Sequence, residues 1–265
     1  MSDAAAAPGF STILVSAEGP IGNLTLNRPE KLNALSGQLL NELILAAEWF
    51  GARSEVKVVL VGGAGRAFCA GADLTAFATA GPDPTEDERR EAADLGRRMA
   101  DAVTDMRPMT VAAIRGHCVG GGLVLAAACD LRIAAANTRF SIPEVDLGIP
   151  LAWGGIPRLV REIGPAATKE LVLTCREFGA DEAKALGFLN RVTEPDRLAE
   201  EVDELAARLS AQPSYSLELT KRHVNEVAEE SGSTANSIED ARALIGALED
   251  PESLARMGSY LAGRG

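Results

Sequence analysis

Apolar and polar positions along this chain follow two alternating rhythms. Short apolar or period-two runs stand at residues 11–15, 21–26, 56–61, 109–114 and 131–135. They read as strands. The first two flank Gly19 and Pro20 and predict a hairpin. Segments with helical spacing lie among them, at 37–50, 86–105 and 123–129. Others follow at 156–163, 166–174 and 181–186, interrupted by Gly164, Pro165 and Gly179. Ser36 is placed to cap the first of these helices. Residues 140–147 read as extended, 27–35 as a polar connection and 78–85 as a loop.

Strands alternating with helices predict an α/β fold. Past Glu194 and Pro195 the strand pattern stops. Only helical spacing follows, at 197–210, 214–229, 238–248 and 253–262. The chain therefore divides into an α/β core over 1–195 and a C-terminal helical region over 196–265.

Composition narrows the function. The 265 residues are 46 % hydrophobic and 24 % charged, enough for an ordinary buried core. Aromatics are only 4 %, too few for a stacking platform for single-stranded nucleic acid. A formal net charge of -12 repels phosphate backbones and anionic membrane surfaces. Neither nucleic acid nor membrane is expected as a partner. Four cysteines lack Cys-x-x-Cys spacing and only two histidines exist, so no metal site is expected. The first ten residues carry no basic region, and no run reaches the roughly 18–20 apolar residues of a membrane span. The expected location is cytoplasmic.

The chemistry concentrates at a Gly-rich turn. Gly120, Gly121 and Gly122 follow a strand and open a helix. Glycine lets backbone approach a ligand closely, and a helix start presents free N–H groups with partial positive charge. The triplet fits neither a P-loop nor a dinucleotide fingerprint. It suits tight helix–strand packing or an N–H pocket for an oxyanion.

A second segment runs Arg66, Ala67, Phe68, Cys69, Ala70, Gly71, Ala72, Asp73 and Leu74. It resembles the Phe-x-Ala-Gly-Ala-Asp-Leu signature of the crotonase superfamily, the enoyl-CoA hydratase/isomerase family. Residues 116–130, 27–35 and 140–148 are similar to further motifs of that family, in the same order. Gly154 and Gly155 with Arg158 and Leu159 also fit. The resemblance spans roughly residues 12 to 195. It implies a crotonase-like ββα spiral core and an acyl-CoA thioester substrate, with coenzyme A entering as part of that substrate and no other cofactor. It implies an enolate oxygen held by the backbone N–H groups of Ala72 and Gly121. Lys31, Asn33, Ala34 and Leu35 match the segment that touches the CoA nucleotide, and Lys221 a basic position near its phosphates. Ala70, Asp73, Leu74 and Gly120 belong to the same binding motifs, with Asp73 read as a support for the Ala72 loop. A homotrimer or homohexamer built through the C-terminal helices is implied as well.

The resemblance also implies how many acids the site holds. Family hydratases use two glutamates. Here one position is Glu144 and the other is Val124, which carries no proton. One carboxylate beside an oxyanion hole suits a Δ3-to-Δ2 enoyl-CoA shift, with Glu144 acting as base and then acid. Two alternatives stay open: a hydratase with a relocated acid, and a catalytically weak acyl-CoA-binding protein. Asp146 would share a face with Glu144 if the segment is extended. Asp83, Glu86 and Asp87 lie on the bordering loop. Trp153 replaces the usual small residue of the family and reads either as an acyl-pocket wall or as core packing. His117 and His223 read as bystanders.

Overall fold

In the computed structural model, residues 9–74 and 85–263 are described. The 78–84 stretch and Asp83 lie outside them. Strands β1 (Ile13–Glu18) and β2 (Ile21–Leu26) form the expected hairpin. Helix α1 (Gly37–Gly51) starts where the Ser36 hydroxyl accepts from Leu39 N at 3.3 Å. Strand β3 (Val58–Gly63) and helix α2 (Glu86–Thr104) follow, and α2 opens on a capping box made by Thr85 and Glu88. Next come β4 (Met109–Ile114), β5 (His117–Val119) and α3 (Gly121–Ala128). Strands β6 (Leu131–Ala135) and β7 (Arg139–Ser141) lead to α4 (Gly155–Thr174), kinked at Gly164 where φ is 75°. Then β8 (Phe178–Gly179), α5 (Ala180–Ala185) and β9 (Arg191–Thr193) complete the α/β part.

The strands form two sheets. The larger runs β1-β2-β3-β4-β6-β9 and is parallel apart from the opening hairpin. The smaller runs β5-β7-β8. Isolated parallel bridges extend the smaller layer, Cys69 to Cys118 and Leu35 to Ala72. A repeat emerges from these pairings. A strand of the large sheet is followed by a segment in the small layer and then a helix: β2, Leu35 and α1; β3, residues 69–72 and α2; β4, β5 and α3; β6, β7 and α4. Consecutive turns of this ββα spiral stack their small-layer segments side by side. That stacking brings residues far apart in sequence to one place.

The helices after residue 196 are α6 (Leu198–Ser210), α7 (Ser214–Ser231), α8 (Asp240–Glu249) and α9 (Pro251–Ala262). Helix α6 buries Leu198, Val202, Leu205 and Ala206 against Val58, Val111, Ile133 and Ala135, covering the outer face of the large sheet. The inner face is continuous with the main core under α1, α2 and α3. No helix among the described residues is long and apolar enough to cross a membrane.

One expectation fails locally. The extended reading of 140–147 holds only through Ser141. Beyond Pro143 the chain turns, with Leu147 N donating to Pro143 O at 3.0 Å and Ile149 N to Glu144 O at 2.9 Å. Proline has no N–H to continue a ladder, and the turn uses its carbonyl instead. Glu144 and Asp146 therefore do not share one face of a strand.

Candidate active site

The spiral sets two backbone amides beside one carboxylate. Residues 70–73 run alongside 32–35: Ala70 N donates to Leu32 O at 3.0 Å, Leu35 N to Gly71 O at 2.8 Å and Asp73 N to Leu35 O at 3.0 Å. On the other flank, Val119 N donates to Cys69 O at 3.0 Å. This places Gly71 against the start of α3. A Cβ at Gly71 would lie 3.0 Å from Val119 O and 3.8 Å from Gly121 N. The ladder leaves the Ala72 N–H without an acceptor among the described residues. The Gly121 N–H, at the first position of α3, is likewise without one and carries the partial positive charge of the helix start.

Glu144 follows β7 and reaches back over the Gly-rich turn. Gly120 N donates to Ser141 O at 2.9 Å, docking the turn onto the strand that leads to the glutamate. Gly120 has φ 50° and ψ -118°, and a Cβ there would overlap the Glu144 carboxylate. Only glycine satisfies both conditions. Glu144 Oε2 is buried with no hydrogen-bond partner. Burial raises the Glu144 carboxyl from its ordinary range to about 7, outweighing the lowering by its own backbone N–H, since ionising it in an apolar surround is costly.

A cavity of about 40 Å³ joins these groups. Ala72, Gly121 and Glu144 line it, and Val124, Ile149, Leu151, Trp153 and Leu244 supply an apolar wall. Val124 is 1 % exposed. Glu144 is the one carboxylate among the described residues on this lining. Asp146 is instead ion-paired with Arg256 on the surface. Glu86 and Asp87 are exposed on α2, away from the cavity. Leu244 comes from α8, and no signal in its own segment announced a place in the site. Sequence reasoning missed Asp240 as well, whose carboxylate accepts from Gly154 N at 2.7 Å beside Trp153.

The other expected binding residues separate by role. Asn33 is fully buried, and its side chain is spent on the fold: Nδ2 donates to Ala64 O and Ala67 O, both at 2.9 Å, and Oδ1 accepts from Arg28 N at 3.0 Å. Its side chain is therefore not presented to a ligand, a correction to the sequence-based expectation. Ala34 O accepts from Arg28, and Leu35 is buried at the bridge to Ala72. Lys31 is exposed at the end of a short turn of helix, over Pro29–Lys31. Asp73 pairs with Arg28 at 2.8 Å and secures the Ala72 loop, next to half-buried Ala70 and Leu74. Lys221 corrects the expectation more sharply. It is buried on α7, with Nζ 2.8 Å from Asp130 Oδ2 and donating to Pro108 O at 2.9 Å. Its charge holds α7 to the β4–β6 region and does not face solvent. His117 and His223 are exposed, apart from the cavity.

The chain is similar to known proteins over most of its length. The chain is 35 % identical over 243 residues to a crotonyl-CoA hydratase of Syntrophomonas wolfei, covering 91 % of this chain and 92 % of that protein. It is 34 % identical over 217 residues to a short-chain-enoyl-CoA hydratase of Clostridium acetobutylicum, with 82 % of each chain covered. A crystal structure of an enoyl-CoA hydratase from Mycobacterium avium subsp. paratuberculosis superposes with a TM-score of 0.84 at 25 % identity, over 95 % of this chain and 99 % of that one. Residues 16–252 match the model of the enoyl-CoA hydratase/isomerase family, and the chain belongs to that family.

Proposed function

We propose that this protein is an acyl-CoA-processing enzyme that shifts a double bond from Δ3 to Δ2 in an enoyl-CoA thioester. The observation that carries the reading is the cavity's single carboxylate, Glu144, opposite buried and apolar Val124. The thioester oxygen would accept from Ala72 N and Gly121 N. Glu144 would remove a proton from the carbon between carbonyl and double bond. The electron pair moves onto the thioester oxygen as an enolate, which the two amides stabilise. Collapse of the enolate moves the double bond into conjugation, and Glu144 returns the proton two carbons further along. A carboxyl poised at about 7 suits both halves, because it gives and takes a proton near neutral pH. An acidic surface and the exposed Lys31 leave CoA recognition to local contacts.

A second reading, enoyl-CoA hydration, is favoured by the crotonyl-CoA and short-chain-enoyl-CoA relatives, both of which are hydratases. It needs a second acid that the described lining does not supply. Purified protein given 3-enoyl-CoA and 2-enoyl-CoA, each with and without Glu144→Gln, separates the two. Isomerisation that vanishes in the variant supports the first reading. Water addition to the 2-enoyl thioester by the unmodified protein would replace it with the second.

A further inference from the structure

Trp153 sits in a turn whose geometry favours other residues. Gly155 N donates to Ala152 O at 3.0 Å, and the two central residues both have positive φ, 63° at Trp153 and 68° at Gly154. Turns of this kind call for glycine or asparagine, and a bulky residue there is strained. The turn is pinned from outside by the Asp240 carboxylate on Gly154 N, at 2.7 Å. The indole has a slot prepared for it. A Cβ at Gly96 on α2 would overlap the ring, and so would a Cβ at Gly121. Three elements thus accommodate one large ring against the amide proposed to bind the thioester oxygen. Strain that the surroundings over-determine in this way points to a role for the side chain.

The ring also decides the cavity's size. Among the described residues the space left beside the ring is only about 40 Å³, so little of an acyl tail fits past Glu144. The wall there is apolar, so what it meets is a hydrocarbon tail. We infer that the Trp153 indole is the stop that sets acyl-chain length, confining the thioester to a short acyl chain. Gly96 and Asp240 are the positioning residues that keep the ring in place. This inference rests on the acyl-CoA reading above.

The test is binding, which does not depend on which reaction follows. Butyryl-, hexanoyl-, octanoyl- and decanoyl-CoA are titrated calorimetrically into the unmodified protein, Trp153→Gly and Trp153→Asn. Both substitutions suit the positive-φ turn, and retained thermal unfolding transitions check that the variants fold. The unmodified protein should bind butyryl-CoA at least about tenfold tighter than decanoyl-CoA, and both variants should erase or invert that ratio. A chain-length profile identical in all three proteins overturns the inference and leaves the acyl-CoA reading intact. No binding of any thioester to any of them overturns both.

Discussion

Two carboxylates near the ends of the same short helix have opposite fates. Asp130, just past α3, is saturated. Its Oδ2 accepts from Thr110 N at 2.7 Å and Thr110 Oγ1 at 2.8 Å, with Lys221 Nζ at 2.8 Å. Glu144, beside the start of α3, has a buried oxygen with no donor at all. Folding gathered three donors on one oxygen of the first group and left one oxygen of the second without any. A carboxylate held by several donors is a structural anchor. An unsatisfied one in an apolar cavity holds its proton near neutrality and is free to exchange it. The lesson is that reactivity here comes from the hydrogen bonds that are missing.

The contrast can be broken first at Glu144. Glu144→Gln should lower turnover of a 3-enoyl-CoA by on the order of 10³, as expected for loss of the one acid/base, with little change in fold. Steady-state kinetics with a circular-dichroism control measures this. A residual rate within tenfold of the unmodified enzyme would remove Glu144 from the chemistry.

Removing the partner of the other carboxylate should act on stability instead. Lys221→Ala leaves the part-buried Asp130 carboxylate without its cation and should cost about 3 kcal/mol in denaturant unfolding. Folded variant should bind CoA as the unmodified protein does. A tenfold weaker CoA affinity with unchanged stability would reassign Lys221 to the ligand.

Glu144 also makes a stability prediction with a definite sign. Its folded value, about 7, lies above the ordinary 4.5, so the protonated form is the one that folding favours. That contribution is fully present below about pH 4.5 and is lost as pH rises through 7. At pH 8.5 the ionised carboxylate should therefore cost up to ~3 kcal/mol. Glu144→Gln should be more stable than the unmodified protein there, with the gap closing near pH 5. Equal unfolding midpoints at both pH values would contradict the burial argument.

The smallest effect is on rate. The base must be ionised, so kcat/KM for the 3-enoyl substrate should rise about tenfold per unit below pH 7 and level off above it. A flat profile between pH 5.5 and 8.5 would mean that the catalytic base does not titrate near 7.

Much of the architecture was legible in local patterns. The hairpin, α1 behind its Ser36 cap, β4 and β6 each follow from periodicity and punctuation that the residues carry themselves. The short strands β5 and β8 were not, because two or three residues hold no period. They exist only through pairing with segments distant in sequence. The turn after Pro143 escaped for a related reason: an apolar–polar alternation looks alike in a strand and in a turn whose side chains happen to pack.

At the site, the chemistry-bearing residues could be read one by one. Ala72, Gly121 and Glu144 sit in distinctive runs, and Val124 in place of an acid was visible without coordinates. Which polar side chains were free to act was not visible. Asn33 and Lys221 have the composition of ligand-binding residues, and only their packing revealed that their donors are consumed.

By itself, then, the sequence determined the order of strands and helices, the glycines that permit close approach, and the number of acids available. These are local or additive properties, set by backbone preference and residue type. The tertiary structure alone decided that Gly121 faces the Ala72 loop, that one Glu144 oxygen lacks a donor while an Asp130 oxygen has three, and that Leu244 and Trp153 close one cavity. Hydrogen-bond satisfaction and cavity shape depend on every neighbour at once, and those neighbours come from separate turns of the spiral.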